Sequence, residues 1–359
     1  MTRTPVRVGA VGCGYWGPNV IRNLDAVSGF ELCSICDIDP ARLWPVAARY
    51  PAARTTTRVD DILEDSAIDA VYLATPVSTH YELAKRALEG GKHVLIEKPL
   101  ATAVDQAQEL ADLAAARGLT LMVGHTFVFS PPVRKVKELI DAGLVGPIYY
   151  VETTRVNLGL FQKDVSVLWD LGPHDVSILI YWLGEVPVQV SARGRSYVGE
   201  ALEDVAFLTL EFPSGILAQV QISWLAPSKL RRTSIVGRQR MIVYDDLEPV
   251  EKVKIFDRGV DRQPASFGEF QLMYRSGDIL SPRLDSTEPL YIECAHFLEC
   301  IQAGRLPDTS PRSGVDVVRV IQAAERSLRL GGVPQHTYEG AYEGAYDGAY
   351  DGVAIERTR

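Results

Sequence analysis

Hydrophobic and polar positions follow two different rhythms along the chain, and the rhythm changes near residue 126. Before that point, strand-like apolar runs at residues 6–11, 30–36, 69–74 and 93–96 are separated by segments with helical periodicity. Strands that alternate with amphipathic helices are typical of βαβ units and a mostly parallel sheet. Residues 1–126 are therefore predicted to form one α/β domain.

The segment after residue 126 has many strand-like runs and few helices. A helix is expected over residues 131–142, and apolar runs then follow one another between residues 148 and 256, with turn signals such as Pro213-Ser214-Gly215 between them. Consecutive strands joined by short turns indicate a largely antiparallel sheet. Further helices are expected over residues 288–303 and 313–330, so a second, α+β domain is assigned to residues 127–335.

The C-terminal segment has a composition of its own. From Tyr338 onward the chain repeats Tyr-Glu-Gly-Ala or Tyr-Asp-Gly-Ala. A four-residue period with a glycine in every repeat cannot bury a core face. Residues 336–359 are therefore predicted to be a disordered tail.

Composition narrows the class of protein. The 359 residues carry a net charge of −9, which argues against nucleic-acid binding, since nucleic-acid binders usually present a basic face. No apolar run approaches the ~18 residues of a membrane span, and the N-terminus lacks the apolar core of a signal peptide. The five cysteines are an odd number, and the single Cys33-x-x-Cys36 pair lies inside a predicted strand. A reduced, cytoplasmic protein without a metal site is expected.

A glycine-rich turn gives the first indication of chemistry. Gly12, Gly14 and Gly17 form G-x-G-x-x-G between a predicted strand and a predicted helix, and Asp37 ends the next strand. This context is the dinucleotide-binding fingerprint, in which the helix N-terminus faces the pyrophosphate and the acidic residue accepts hydrogen bonds from the ribose. A carboxylate there favours NAD over NADP, although Arg42 nearby leaves NADP open. The alternative is a glycine turn in a domain that binds no dinucleotide.

Two further places along the chain are candidates for catalysis. Lys98 follows Glu97 just beyond a predicted parallel strand, where ligands of open α/β sheets bind. Asp170 and His174 are four residues apart, so on a helix they share a face and are expected to hydrogen-bond. Alcohol oxidation needs a base, a cation near the developing alkoxide and a nicotinamide. The alternatives are a surface lysine paired with Glu97, and a helix-capping aspartate beside a structural histidine.

Taken together, these motifs resemble one enzyme family. The glycine turn, the run Ala74-Thr75-Pro76 with His80, Gly91-Lys92-His93-Val94 leading into Glu97-Lys98-Pro99, and Asp170-x-Gly172-x-His174 are similar to the glucose–fructose oxidoreductase, inositol dehydrogenase and rhizopine catabolism family (Gfo/Idh/MocA), in the same order over about residues 6–330. The resemblance implies an N-terminal Rossmann domain and a C-terminal α+β domain with a large open, mostly antiparallel sheet. That sheet is often used for dimer or tetramer contacts in the family, so a homodimer or homotetramer is expected.

The resemblance also implies site residues. The family's catalytic Lys–Asp–His trio corresponds to Lys98, Asp170 and His174. The residues expected at the NAD(P) cofactor are Gly12, Gly14, Tyr15, Trp16, Gly17, Asp37, Arg42, Ala74, Thr75, Pro76, His80, Glu97 and Lys98.

Departures from the family pattern lie on the substrate side. Ser166-Val167-Leu168-Trp169 stands where the family often has a glycine pair, and Ser177 stands where an aspartate is common. Residues 157–174 and 223–229 resemble a branch near sugar-nucleotide 3-dehydrogenases and ketoreductases. Substrate contacts are expected from His125, Tyr150, Arg155, Asn157, Lys163 and Lys229, unless these are solvated, interface or core residues.

The sequence thus predicts reversible hydride transfer between a nicotinamide and a ring carbon of a sugar, sugar nucleotide or cyclitol. In a sugar, the expected ring carbon is C3. His174 is expected to accept the hydroxyl proton, Lys98 to polarise the oxygen, and Asp170 to orient His174. Three alternatives remain open: a redox-neutral NAD-dependent glycosidase, a non-catalytic dinucleotide sensor, and a subunit that acts only with a partner.

Overall fold

The computed structural model describes residues 4–159, 161, 165–198, 202–263 and 271–338. Its first sheet has six parallel strands in the order β3-β2-β1-β4-β5-β6. Their bounds are β1 Val6–Val11, β2 Phe30–Cys36, β3 Arg54–Thr56, β4 Ala70–Leu73, β5 His93–Glu97 and β6 Leu121–Gly124. The strand order reverses between β1 and β4, and in open parallel sheets the ligand crevice lies at such a reversal, outside the carboxyl ends of the strands. The predicted Rossmann domain is confirmed.

Helices connect these strands, and the apolar faces of the helices pack on the sheet. They are α1 Gly17–Ala26, α2 Pro40–Arg49, α3 Asp60–Leu63, α4 His80–Glu89 and α5 Val104–Arg117. Strands β1, β4 and β6 are almost wholly buried, as expected of a parallel sheet covered on both faces, whereas the edge strand β3 is partly exposed.

The second sheet has nine strands in the order β14-β13-β12-β11-β7-β10-β9-β8-β15. All neighbours are antiparallel except β7 and β10, which run parallel. The bounds are β7 Ile148–Leu158, β8 Gln189–Arg195, β9 Val205–Glu211, β10 Leu217–Ser223, β11 Leu225–Gly237, β12 Met241–Asp245, β13 Val253–Gln263, β14 Gln271–Leu280 and β15 Gln335–His336. The large, mostly antiparallel sheet predicted from the sequence is confirmed.

One face of this sheet is buried and the other is open. Helices α6 Pro131–Asp141, α7 Val167–Leu183 and α9 Pro311–Arg329 belong to the same half of the molecule, and α7 and α9 pack on the sheet. On the opposite face Tyr150, Phe207 and Leu217 are each about half exposed. The period-2 alternation of the strands produces this two-sided character.

The last-but-one helix does not stay with its own half of the chain. Helix α8, Pro289–Ala303, packs against α1, and its Cys294 and Phe297 lie in the same buried cluster as Val8 and Leu24 of the Rossmann domain. The predicted limits 127–335 place this helix in the second domain, whereas its side chains complete the first. The limit near residue 126 stays a prediction.

The start of the predicted tail is wrong. Strand β15 pairs with β8, and Thr337 donates both its backbone N–H and its hydroxyl to carbonyls before β8. The Tyr338 hydroxyl donates to Asp316 of α9. Residues 336–338 are therefore anchored, because they have backbone and side-chain partners, and residues 339–359 lie outside the described part. Among the helices that the structure describes, none is long and apolar enough to cross a membrane.

Candidate active site

A cavity of about 820 Å³ lies where the two sheets meet. The carboxyl ends of β4, β5 and β6 form one wall, and α7, β7 and β11 form the other. The size is that of a pocket for a small organic ligand or cofactor. Most of the residues predicted from the sequence lie on or beside it.

The glycine turn has the shape that a dinucleotide needs. Gly12 has a φ of +103°, and a side chain there would strike the carbonyl of Ala74. A side chain at Gly17 would strike the carbonyl of Gly12, so the helix packs closely on the turn. At Gly14 the nearest atom to an added Cβ is Arg42 Nη1 at 3.8 Å, which leaves room for a ligand to approach the backbone. These features fit a pyrophosphate at the N-terminus of α1.

Asp37 lies at the end of β2 and is held by backbone groups. Its Oδ2 accepts from the Cys13 N–H at 2.6 Å, and its Oδ1 accepts from the Asp39 N–H at 2.9 Å. Arg42 Nη1 lies 3.8 Å from Asp37 Oδ2. The guanidinium predicted as a possible 2′-phosphate ligand is therefore already near a carboxylate, and the carboxylate is fixed in place beside the glycine turn.

The loop after β4 is fastened by His80. The Nδ1 atom of His80 is 2.8 Å from the Pro99 carbonyl and its Nε2 is 2.9 Å from the Thr75 carbonyl. Burial lowers the pKa of His80, so the ring is neutral and donates to one carbonyl at a time. His80 is buried and ties two loops together, which corrects its predicted place at the cofactor. Thr75 and Pro76 do line the cavity.

The side chains on the other side of this cleft are aromatic. Tyr15 and Trp16 line the cavity and are 84% and 40% exposed. Rings of this size at the mouth of a cleft can cover a bound planar ligand. Ala74, at the carboxyl end of β4, forms part of the floor.

Lys98 and Asp170 are directly bonded. Lys98 Nζ donates to the Asp170 backbone carbonyl at 2.8 Å and to its Oδ1 at 3.1 Å. The indole Nε1 of Trp224 donates to the other oxygen, Oδ2, at 3.1 Å. Asp170 is thus held between a cation from β5 and an indole that follows β10.

The predicted hydrogen bond between Asp170 and His174 is wrong. Asp170 lies in the first turn of α7, and its carboxylate turns toward Lys98 and Trp224, which leaves it no bond to His174. Within the described residues, Nδ1 of His174 has no hydrogen-bond partner. A spacing of four residues places two side chains on one face of a helix but does not choose their partners.

His174 lines the cavity in a cationic neighbourhood. Its ring meets the Phe127 ring edge-on, with centroids 5.0 Å apart. Burial lowers the pKa of His174 well below its ordinary value, and the charges of Lys98, Arg155 and Arg231 lower it further. The imidazole is therefore neutral at physiological pH and able to accept a proton.

Arg155 is not placed to contact a substrate. Its Nε donates to Asp175 Oδ2 at 2.6 Å, and both side chains are only 4% exposed. Asp175 also accepts from the Thr153 hydroxyl at 2.8 Å. The guanidinium lies 4.4 Å from the centroid of Phe127, on the ring that contacts His174. This corrects the prediction for Arg155, which packs on Phe127 and pairs with Asp175 instead of facing a substrate.

The other predicted substrate residues divide into three groups. Asn157 and Lys229 line the cavity, and Lys229 has no hydrogen-bond or ion-pair partner among the described residues. Tyr150 lies on the open face of the sheet, which corrects the prediction for it. His125 is buried with neither ring nitrogen bonded in the described part of the chain, and its contact with a substrate stays a prediction. Burial and the charge of Lys98 lower the pKa of His125 to about 3. Lys163 lies outside the described residues.

Three side chains that matter here were not singled out for the site. Phe127 joins His174 to the two arginines, Trp224 bonds Asp170, and Asp246 accepts from Arg231 at 3.1 Å. The partners lie 15 to 104 residues apart in the chain, so the run of aromatic residues after β6 is the sequence signal that could have indicated them.

Glu97 completes the floor of the cavity. It lies at the end of β5 and its Oε1 accepts from the Tyr72 hydroxyl at 3.0 Å. Burial raises the pKa of Glu97 to about 7, against the opposing influence of Tyr72 and Lys98. Among the described residues, no group of histidine, cysteine and acidic side chains is arranged to hold a metal ion.

Known proteins share both halves of this architecture. Residues 6–125 match the family model described as the Gfo/Idh/MocA oxidoreductase family, NAD-binding Rossmann fold, and residues 133–243 match the GFO/IDH/MocA C-terminal domain. The two matches together span well over half of the chain.

Individual relatives align over nearly their whole length. The chain is 28% identical over 341 residues to the scyllo-inositol 2-dehydrogenase (NAD(+)) of Bacillus subtilis (strain 168), which covers 91% of this chain and 95% of that protein. It is similar to the solved structure of the UDP-N-acetylglucosamine 3-dehydrogenase GnnA from Acidithiobacillus ferrooxidans, with 26% identity and a TM-score of 0.75 over 91% of this chain and 99% of the other. A third, GenD2 from gentamicin A biosynthesis in complex with NAD, has 25% identity and a TM-score of 0.79 over 94% and 97% of the two chains.

Proposed function

The chain belongs to the Gfo/Idh/MocA family and is an NAD-dependent oxidoreductase, and on this premise we propose that it transfers a hydride between the nicotinamide and a ring carbon of a cyclitol, a sugar or a sugar nucleotide, C3 in the sugars. The observation that carries the proposal is that Lys98, Asp170 and His174 border one cavity, beside the glycine turn. A cation, a neutral imidazole and a dinucleotide turn are the components that alcohol oxidation requires.

The cofactor is held by this chain's backbone and by one carboxylate. The turn from Gly12 to Gly17 and the N-terminus of α1 hold the pyrophosphate, and Asp37 accepts hydrogen bonds from the adenosine ribose. A negative charge at Asp37 repels a 2′-phosphate, which makes NAD the preferred cofactor. When bound, NAD supplies the hydride acceptor.

Three side chains act on the reacting hydroxyl group of the substrate, either directly or through a neighbour. Lys98 Nζ donates to the reacting oxygen and stabilises its developing negative charge. Asp170 keeps the ammonium in place through its carbonyl and Oδ1, and Trp224 keeps Asp170 in place. The neutral ring of His174 accepts the hydroxyl proton in oxidation and returns it in reduction. In this arrangement Asp170 acts through Lys98 and not through His174.

The outer part of the cavity favours a substrate with polar or anionic substituents. Asn157, Lys229 and Arg231 line it, and the ammonium of Lys229, which has no partner among the described residues, is suited to a phosphate or carboxylate. The similar proteins named above include an inositol and a sugar-nucleotide dehydrogenase, which supports this class of substrate. We also propose that the half-exposed apolar residues of the open sheet face pair with a second copy of the chain.

A substrate panel tests the proposal. Purified protein is mixed with NAD or NADP and with scyllo-inositol, myo-inositol, free hexoses, and UDP- and dTDP-sugars, and the absorbance of reduced nicotinamide is followed. We expect a rise with NAD and one substrate class, and a loss of orders of magnitude in turnover for Lys98→Ala and His174→Ala with cofactor affinity retained. Wild-type rates in both variants would contradict the assignment. Release of sugar without net NADH would indicate the glycosidase, and binding without turnover would indicate the sensor.

A further inference from the structure

Two acidic side chains from distant parts of the chain lie at one end of the cleft, since Glu97 lines the cavity and Glu293 is bonded by Thr126, which lines it too. Glu97 comes from the end of β5, and Glu293 comes from α8, the helix that packs back onto the Rossmann domain. Glu293 is 1% exposed. Neither the proton transfer described above nor the glycine turn uses this pair.

The surroundings of Glu293 fit its protonated form. The Thr126 hydroxyl donates to Oε2 at 3.0 Å, whereas Oε1 is buried and has no partner among the described residues. An ionised carboxylate accepts hydrogen bonds only, so an unpaired buried oxygen is costly for the charged form. Burial and the charge of Glu97 both raise the pKa of Glu293 well above its ordinary value. The neighbouring thiol of Cys294 stays neutral, since burial raises its pKa as well, and it adds no charge.

The surroundings of Glu97 are different, because donors and a cation face it. The Tyr72 hydroxyl donates to Oε1, and Lys98 and the Trp16 side chain also favour the ionised form. Gly124 on the neighbouring strand leaves space for the carboxyl group, whose carbon lies 3.4 Å from where a Cβ would be. Opposed by burial, these groups leave the pKa of Glu97 at about 7.

Apart from Lys98, which is itself bonded to Asp170, no charged side chain among the described residues offsets the charge of Glu97 at this end of the cleft. His125 follows β6 and is neutral, since its pKa is lowered to about 3. Glu288 also lines the cavity, but both its oxygens are bonded by Arg22, at 2.6 and 2.9 Å.

We propose that Glu97 and Glu293 form an acid pair that places one titratable negative charge at the nicotinamide end of the cofactor site, and that this charge selects the oxidised over the reduced dinucleotide. The inference rests on the proposed function, because it takes the ring of NAD to lie in the cavity that Glu97 and Lys98 line. The oxidised ring is cationic and the reduced ring is neutral, so a carboxylate beside it stabilises only the oxidised form, and strongly in a low-dielectric cleft. Glu293 holds its proton throughout and thereby leaves Glu97 able to ionise.

The pair has a thermodynamic consequence for binding. A group that is charged in one state and neutral in the other changes ligand affinity as it titrates. As the pH rises through about 7, Glu97 ionises, NAD⁺ binds more tightly relative to NADH, and the bound dinucleotide becomes a weaker oxidant. At lower pH the neutral pair removes this preference.

The proposal can be tested without turnover by measuring the dissociation constants for NAD⁺ and NADH. They are measured by calorimetry and by NADH fluorescence between about pH 6 and about pH 8. For the wild type we expect the ratio of the NADH constant to the NAD⁺ constant to rise about threefold or more across this range. In Glu97→Gln the ratio should be independent of pH and close to the wild-type value at low pH. Tyr72→Phe removes the donor to Glu97 and should move the midpoint to higher pH.

Glu293→Gln is the matched control, because glutamine resembles the protonated acid. The pH dependence should persist in this variant with its midpoint little changed. A midpoint that falls by a full unit or more would mean that Glu293 is itself ionised, which overturns the pair. A wild-type ratio that does not change with pH, with both dinucleotides bound, would overturn the inference alone, whereas failure to bind either dinucleotide would overturn the proposed function.

Discussion

The ion pair behind His174 gives the sharpest prediction for stability. Asp175→Asn removes the negative partner of Arg155 from a pair whose two side chains are each 4% exposed and whose atoms Nε and Oδ2 are 2.6 Å apart. Removing one partner of a buried pair costs ~3–5 kcal/mol, because the other charge stays buried and uncompensated. Asparagine keeps one acceptor oxygen, so we expect the lower limit, about 3 kcal/mol, or roughly a hundredfold in the unfolding equilibrium.

Urea denaturation, followed by tryptophan fluorescence, measures this loss, since Trp182 and Trp224 are buried in the same half of the molecule. Asp246→Asn is the matched control: it breaks the Arg231–Asp246 pair, whose side chains are 29% and 19% exposed, and should cost about 1 kcal/mol. A loss for Asp175→Asn no larger than that of the control would refute the interpretation of Arg155 as a buried support.

Three further predictions concern the cofactor site and its titration. Gly17→Ala should weaken NAD binding at least about tenfold in a fluorescence titration, since its Cβ would strike the Gly12 carbonyl at the turn that we propose for the pyrophosphate. Unchanged affinity would contradict that assignment. Glu97→Gln should be more stable than the wild type by roughly 3 kcal/mol at about pH 8, and the difference should shrink toward about pH 5. The reason is that a carboxyl group whose pKa rises from 4.5 to about 7 on folding lowers the free energy of unfolding as the pH rises. Equal pH dependence of the two denaturation curves would argue against this prediction. In the Glu97→Gln background, oxidation at saturating NAD should stay constant from pH 8 down to about pH 6, since the pKa of His174 is held well below 6.5; a half-loss near pH 6.5 would show that His174 titrates normally.

Local patterns were enough to predict the architecture and the cofactor turn. The strand that ends at Val11, the turn Gly12–Gly17 and the acid at Asp37 are close in sequence, and their geometry follows from backbone sterics. Lys98 lines the cavity beyond the end of β5, a position that the sequence could indicate because the carboxyl ends of parallel strands share one edge of a sheet.

Partner choice between distant residues was harder to predict. The spacing of Asp170 and His174 indicated a shared helix face, but the carboxylate is bonded by a lysine 72 residues away and an indole 54 residues away. Arg155 was assigned to the substrate because a lone arginine near a motif gives no sign of Asp175, which comes from a different element.

The packing of α8 against the Rossmann domain was equally hard to predict from the sequence. The helix is apolar around most of its circumference, and such a pattern indicates burial without saying against which domain. Its return to the Rossmann domain brings Glu293 to Thr126, beside the cavity that Glu97 lines, so the proposed acid pair could be recognised only in three dimensions.

We propose direct hydride transfer to the nicotinamide, with His174 as the proton acceptor and Lys98 as the cation that stabilises the reacting oxygen. The most direct test of this proposal uses the substrate that reduces NAD in the panel, deuterated at the ring carbon that becomes a carbonyl, in a single turnover analysed by mass spectrometry of the cofactor. We predict that the deuterium appears in the reduced nicotinamide with the wild type and that its transfer is slowed by orders of magnitude in Lys98→Ala and His174→Ala. Deuterium released to solvent, or transfer at the wild-type rate in both variants, would contradict the account.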